Sequence, residues 1–354
     1  MKIFILAPEP PPPSVLHHLT SLGVEPTVAM VRAESMSESG VHYRHVTARG
    51  QSGDPLDLRW SRKALRAAIR EVGPALLHIV GDPWTPTAEA GAAAARDLKL
   101  PYALVGTSSI GGPGGMTARW QAKRVREGAA ALGGITRPAL DHLVAGSTDR
   151  PVGVVPPGGI TIPGTVRRHA RATPTFAAAG RLIRERGIDL LLDALGSTYG
   201  TWQLKVIGTG PEQESLEAHA QRLGLSGRIE WLGAVPREAL GTLWPAVDAL
   251  IAPSRVTPSW VEPNGQVVLE VMAHGVAPMV SRSGALPDVA GDTGLVFDPE
   301  DVGALTAGLQ QVVDSPDRAI AMGNAARLRV LERYGDVAIA ERLVVLWRKA
   351  LGTG

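Results

Sequence analysis

At 354 residues, with 44% hydrophobic and 20% charged side chains, the chain is too long for one ordinary core and suits two globular lobes of about 150 to 180 residues each. It has no Cys, which excludes disulfides, thiolate catalysis and cysteine metal sites together and agrees with a reducing compartment. Its net charge is only +2 and no apolar run approaches the roughly 20 residues of a membrane span, so a soluble, cytoplasmic protein is expected.

Residues 2–7 read as a buried strand, too short for a signal peptide, and residues 9–13 as a stiff polyproline turn leading into a helix over 15–22. Strands are expected over 24–31 and 43–47, and an amphipathic helix over 59–72. A strand over 75–80 ends at Gly81-Asp82-Pro83-Trp84. An alanine-rich helix over 88–98 and a strand over 102–106 precede the run Gly111-Gly112-Pro113-Gly114-Gly115, and strands over 132–135 and 152–155 close the first lobe. These strands are apolar throughout rather than at every second residue, the pattern of a parallel sheet covered on both faces.

Pro163, Gly164, Arg167 and Arg168 read as an interdomain linker, which puts the boundary near 165. The second lobe, 166–335, restarts the grammar with strands over 175–179, 203–207, 228–232 and 249–252 and helices over 187–195, 213–223, 237–244 and 266–273. Helices over 304–313 and 319–333 follow. A last helix over 337–350, within a tail 336–354, is expected to cross back to the first lobe. The expected class is therefore α/β, with two doubly wound parallel sheets.

Residues 1–165 hold 17 Lys/Arg against 13 Asp/Glu, so the basic excess lies in the first lobe. Much of it is Arg119, Lys123, Arg124 and Arg126 around Trp120. A solvated helix face beside a buried Trp is the simpler expectation. An anionic membrane face or an anionic acceptor is the alternative. Four cations on one helix make no nucleic-acid stripe.

In a doubly wound sheet ligands bind beyond the carboxyl ends of strands, and three such places in the second lobe carry chemistry. Gly180-Arg181 follows one strand, with Arg186-Gly187 opening the next helix; two guanidinium groups there suit a diphosphate. Gly208-Thr209-Gly210 follows the next strand and lets a backbone come close to a ligand, though its spacing is not the dinucleotide GxGxxG and a tight turn explains it equally. The third stretch holds Glu262 in a loop and Glu270 on the helix after Gly265. The amides of Asn264, Gly265 and Gln266 at that helix start are expected to receive an anion, with Glu262 beside it and Glu270 about one turn below.

The segments GRLIRERG (180–187), VIGTGPE (206–212), RIEWLGAVP (228–236), VDALIAPS (247–254), EPNGQVVLEVMAHGVAPMVS (262–281) and GLVFDPED (294–301), in this order, resemble the retaining glycosyltransferases of family 4, which have the GT-B fold. The resemblance implies that Glu262 and Glu270 are the acids of an E-x7-E motif, Glu262 facing the donor sugar at the reacting centre and Glu270 holding the ribose. It implies that Arg181 and Arg186 neutralise the diphosphate, that the Asn264–Gln266 amides hold sugar and phosphate, and that Gly208, Gly210, Gly233, Ala234 and Val235 line the nucleotide. The second lobe would then hold a nucleotide-diphosphate sugar, and the first a glycan, lipid-linked or small-molecule acceptor. No cofactor beyond that co-substrate is implied, and with no Asp-x-Asp in the chain no metal is expected.

The family usually has Lys where Arg186 stands, an aromatic where Asn264 stands, and paired glycines where this chain has residues 9–13. In the first lobe the resemblance is thin, mainly HIVGDPW (78–84) and VVPPGGI (154–160). His78 and Asp82 are the candidates there to reach the reacting centre, although a His ending a buried strand is more often structural. An epimerase on the same fold and a non-catalytic binder of sugar nucleotides are the rival functions.

Overall fold

A computed structural model describes residues 1–31, 36–50, 56–112, 114–145 and 149–353; Pro113 of the glycine-rich run lies outside them. The chain divides into two compact units, residues 1–159 with 336–354, and residues 160–335.

The strands of the first unit are β1 (Lys2–Leu6), β2 (Glu25–Met30), β3 (Met36–Glu38), β4 (Val41–His45), β5 (Ala48–Arg49), β6 (Arg59–Trp60), β7 (Leu76–Val80), β8 (Tyr102–Gly106), β9 (Ala131–Gly134) and β10 (Val152–Val154). Its helices are α1 (Pro13–Ser21), α2 (Arg62–Val72), α3 (Pro86–Leu98), α4 (Met116–Glu127) and α5 (Arg137–Leu143). The main sheet runs β10-β9-β8-β7-β1-β2-β4-β3, parallel except for β3. The helix expected from residue 59 starts instead at Arg62: the Ser61 hydroxyl accepts the Ala64 amide as an N-cap, and Arg59–Trp60 pairs with Ala48–Arg49 as a short ribbon. Strand order reverses between β1 and β7, so the end of β7, at Gly81-Asp82, lies at this sheet's switch point.

The second unit holds β11 (Thr175–Ala179), β12 (Gln203–Ile207), β13 (Ile229–Gly233), β14 (Ala249–Ala252), β15 (Ala277–Ser281) and β16 (Leu295–Phe297). Its helices are α6 (Ile188–Gly196), α7 (Gln213–Arg222), α8 (Arg237–Leu243), α9 (Gln266–Ala273), α10 (Leu286–Ala290), α11 (Val302–Asp314) and α12 (Asp317–Arg333). Its sheet is parallel throughout, in the order β13-β12-β11-β14-β15-β16. Apolar cores cover both faces: Phe176, Leu191, Trp202 and Leu309 lie on one side, and Leu250, Val271, Met272 and Val330 on the other. Order reverses between β11 and β14, which puts the favoured ligand crevice outside those two strand ends.

The division falls at 159/160 rather than near 165. Ile160 and Ile162 already pack in the second unit's core. The stretch read as a linker is pinned there too: the Arg168 side chain is 4% exposed and donates to the Trp244 and Val247 carbonyls, and Arg171 pairs with Asp248 at 2.6 Å. The last helix, α13 (Asp336–Ala350), belongs to the first unit. Its Ile339, Leu343 and Trp347 share a core with Ile3, Ile5, Leu16 and Leu19.

Candidate active site

Arg186 follows β11 and Glu262 follows β14, and they meet across the second unit's switch point as an ion pair between Arg186 Nη1 and Glu262 Oε2. Glu262 is 4% exposed. Burial pushes its carboxyl above the usual glutamate range, against the opposing pull of Arg186, of the Ser254 hydroxyl at 3.3 Å and of the Gly265 amide. Its backbone is fixed as firmly as its side chain. The Glu262 amide donates to Ser283 Oγ at 3.1 Å, and its carbonyl accepts from the Ala285 amide at 3.0 Å. Gly284 adopts φ +51°, and a Cβ there would stand 2.0 Å from the Glu262 carbonyl oxygen, so that corner requires glycine.

Arg186 is held by contacts that leave part of it unsatisfied. Its guanidinium lies 5.7 Å from the centre of the Trp260 ring, a cation–π distance, and against Gly180. Its Nε is buried without a hydrogen-bond partner. A buried donor without a partner costs about 1–3 kcal/mol, while the side chain as a whole keeps 28% of its surface exposed.

The loops that bring the pair together are locked by a residue outside the sequence-derived set. Arg255 forms a bidentate pair with Asp189, both bonds 2.7 Å, and reaches Glu300 at 3.0 Å and the Arg184 carbonyl at 2.7 Å. Its amide donates to the Glu185 carbonyl. The loop after β14 is thereby tied to the turn that carries Arg186. The Asp189 hydrogen bond raises the Arg255 pKa above its ordinary value; burial pushes Asp189 upward, but Arg255 and two backbone amides bring it below the usual range. Ser254, Trp260 and Ser283 also hold the pair and carry no motif of their own. Only the strand-end position of Ser254 marked any of them.

The other expected residues fall less uniformly. Arg181 is exposed and makes no ion pair among the described residues, so the structure does not bring it to Glu262 as it does Arg186. Gly265 caps α9 with φ +62° beside Val289 and Leu286. Two of the amides expected to face an anion are already engaged within the loop: that of Gln266 donates to Asn264 Oδ1 at 3.2 Å, and that of Gly265 to Glu262. Glu270 is half-buried on α9, and its carbonyl accepts from His274 Nδ1 at 2.8 Å.

Gly208 and Gly210 have a packing reason of their own. A Cβ on Gly208 would stand 1.9 Å from the Gly180 carbonyl oxygen, and one on Gly210 2.2 Å from that of Leu182. They let the loop after β12 press on the loop after β11. The Gly208 amide donates to the Gly233 carbonyl at 2.7 Å, which joins β13's end to the group, with Ala234 exposed and Val235 half-buried beyond it.

In the first unit both candidates are engaged in hydrogen bonds. His78 is 2% exposed, and its Nδ1 accepts from Trp347 Nε1 at 3.2 Å on α13, the rings meeting edge-on. Burial pushes its pKa down to about 4. It is a neutral core histidine. Asp82 does stand at the switch point, but its oxygens accept from the Thr107 amide and hydroxyl, both at 2.9 Å, and from the Ser108 amide at 3.0 Å. It anchors the loop after β8.

Two Rossmann-like parallel-sheet units make up the α/β architecture of the GT-B glycosyltransferases. Residues 167–329, nearly the whole second unit, match the family model of the glycosyl transferases group 1. Among curated proteins the chain is similar to a GDP-mannose-dependent alpha-(1-6)-phosphatidylinositol monomannoside mannosyltransferase of Mycolicibacterium smegmatis, 32% identical over 46% of this chain and 44% of that protein. It is also similar to a D-inositol 3-phosphate glycosyltransferase of Corynebacterium urealyticum, 31% identical over 56% of this chain and 51% of that one. The chain thus spans about half the length of the curated relatives it matches. Among solved structures, sucrose-phosphate synthase of Thermosynechococcus elongatus covers 100% of both chains with a TM-score of 0.71 at 18% identity. Anabaena HepE, solved with UDP, covers 98% of this chain and 99% of its own at 0.71 and 17% identity.

Proposed function

We propose that the protein is a glycosyltransferase that moves a sugar from a nucleotide-diphosphate donor, held by the second unit, to a glycan, lipid-linked or small-molecule acceptor, with retention at the anomeric carbon. The observation that carries this reading is the Arg186–Glu262 pair at the β11/β14 switch point, inside the segment that matches the glycosyltransferase family model. A departing nucleoside diphosphate gains negative charge as the glycosidic bond breaks, and a preorganised cation stabilises that charge most in the transition state. Arg186 supplies such a cation on a side chain that is 28% exposed. Glu262 would face the sugar, Glu270 the ribose, and exposed Arg181 would close on the diphosphate from the same turn.

In this reading the leaving phosphate takes the acceptor proton, and neither a metal nor a cofactor is needed beyond the nucleotide sugar. The enzyme would work in the cytoplasm. The relatives named above use GDP-mannose or act on inositol-containing acceptors by their names, so GDP-mannose and inositol lipids are the first donor and acceptor to try.

The test is a thermal-shift screen over UDP, GDP, ADP, dTDP and CDP sugars, since ligand binding raises apparent stability, followed by NMR of the product's anomeric centre. One nucleoside diphosphate should shift the transition and its sugar should appear on the acceptor with the configuration unchanged. A chain that binds free sugars but no nucleotide, or that isomerises the donor in the absence of acceptor, would overturn the reading.

A further inference from the structure

Trp120, expected to be buried, is 60% exposed. It sits on α4 of the first unit, a helix of 12 residues in which Val125 alone is fully buried. At 3.6 residues per turn, Met116, Arg119, Trp120 and Lys123 fall on one outward sector, with Arg124 at its edge. Met116 is 89% exposed, and the three cations are exposed too. This is not the looseness of a poorly held helix. Arg150 donates to the carbonyls of Arg126 and Glu127 at the helix end, Arg126 donates to the Ala145 carbonyl, and Tyr102 bonds the Val125 carbonyl from below.

The face is strongly one-sided in charge. Its single acid, Glu127, lies 3.7 Å from Lys123, and among the described residues Arg119 and Arg124 have no carboxylate partner. Arg124 instead lies 5.4 Å over the Trp120 ring. A standard protein interface needs about 800 Å² per partner, whereas this face offers two large apolar side chains set among long cationic stems. That composition fits the boundary of a lipid bilayer, where an indole and a thioether enter the headgroup layer and cations pair with phosphates. The excess of 17 Lys/Arg over 13 Asp/Glu in residues 1–165 has the sign that an anionic leaflet attracts.

We propose that α4 docks the first unit on an anionic membrane surface, with Met116 and Trp120 entering the headgroup region and Arg119, Lys123 and Arg124 meeting lipid phosphates. This docking is independent of sugar transfer. A wild-type chain that fails to bind any nucleotide sugar would undo the proposed function and leave it standing.

The experiment is co-sedimentation of the full chain with vesicles of phosphatidylcholine alone and of phosphatidylcholine with phosphatidylglycerol, at low and high salt. The partition coefficient should be roughly tenfold or more higher on the anionic vesicles, should fall with salt, and should drop by about tenfold in Trp120→Ala and in the double variant Arg119→Glu, Lys123→Glu. Wild-type tryptophan emission should shift to the blue with anionic vesicles, and Trp120→Ala should lose that shift. Both variants alter exposed side chains, so a melting temperature equal to wild type would show that lost binding is not unfolding. Equal binding to neutral vesicles, or undiminished binding of folded Trp120→Ala, would overturn the proposal. A concentration-dependent dimer dissolved by Trp120→Ala, with no vesicle binding by wild type, would assign the face to a second copy of the chain instead.

Discussion

Both units bury titratable side chains around their sheets' switch points, but they use them differently. In the first unit Asp82 gives its acceptor capacity to the backbone and hydroxyl of residues 107–108, and His78 meets Trp347 in a closed core. In the second, Glu262 is buried against a guanidinium that keeps one donor without a partner and has an indole beside it. A fully engaged polar group holds a fold together. A partly engaged charge pair at a strand-end crevice is a place where a ligand can complete the bonding.

The largest expected effect tests the open pair. Glu262→Ala should lower the rate of sugar transfer by about 10²–10³, or about 3–4 kcal/mol in the barrier, while nucleotide affinity, measured by calorimetry, stays within a few-fold of wild type. Transfer at the wild-type rate would erase the contrast between the units.

Next is a pH effect on stability that belongs to the closed side. The pKa of His78 is about 4 in the fold against 6.5 ordinarily. Above 6.5 both folded and unfolded chains carry it neutral, and nothing changes. As the pH falls below 6.5 the unfolded chain takes up a proton that the folded chain refuses. Stability is therefore lost down to about pH 4, by about 3 kcal/mol in all. Urea unfolding across that window should show the slope, and His78→Gln should flatten it.

Asp82→Ala should cost about 2–3 kcal/mol, because the Thr107 and Ser108 donors would be left without their acceptor. Transfer by the folded fraction should change only a few-fold. A loss of turnover like that of Glu262→Ala, without loss of stability, would make Asp82 a reacting group after all. The smallest effect sharpens the comparison from outside the pair. Arg255→Ala should lower stability by about 1–2 kcal/mol, discounted because Asp189 is partly exposed. It should also weaken nucleotide binding several-fold, since the turn bearing Arg186 loses its tie.

The second unit was the more legible in sequence because its site is carried by contiguous strand-end segments. The strands at 175–179, 203–207 and 249–252 and the helix at 266–273 fall where periodicity places them. What sequence could not supply was pairing across distance. Arg255 gave no signal because its partner Asp189 is 66 residues away, and Trp260 because nothing local shows that Arg186 will lie on its ring. Gly208 and Gly210 press against the backbone of Gly180 and Leu182, a packing reason that no local spacing shows. Trp120 was expected inside because large aromatics usually are; the cations around it were the contrary signal. His78 and Asp82 fall at a strand and just past its end as the sequence reads, but their hydrogen-bond partners come from α13 and from the loop after β8, which no local pattern shows.

The return of α13 has a consequence for biosynthesis. Trp347 and Leu343 fill the interior that β1 and α1 begin, so that early segment waits for a helix made only after the whole second unit. On the ribosome the nascent chain can complete residues 160–335 while the earlier sheet still lacks its final layer, reversing the usual order in which the N-terminal domain finishes first. Until α13 emerges, that sheet would present an oily surface over Ile3 and Ile5, a natural point of engagement for chaperones.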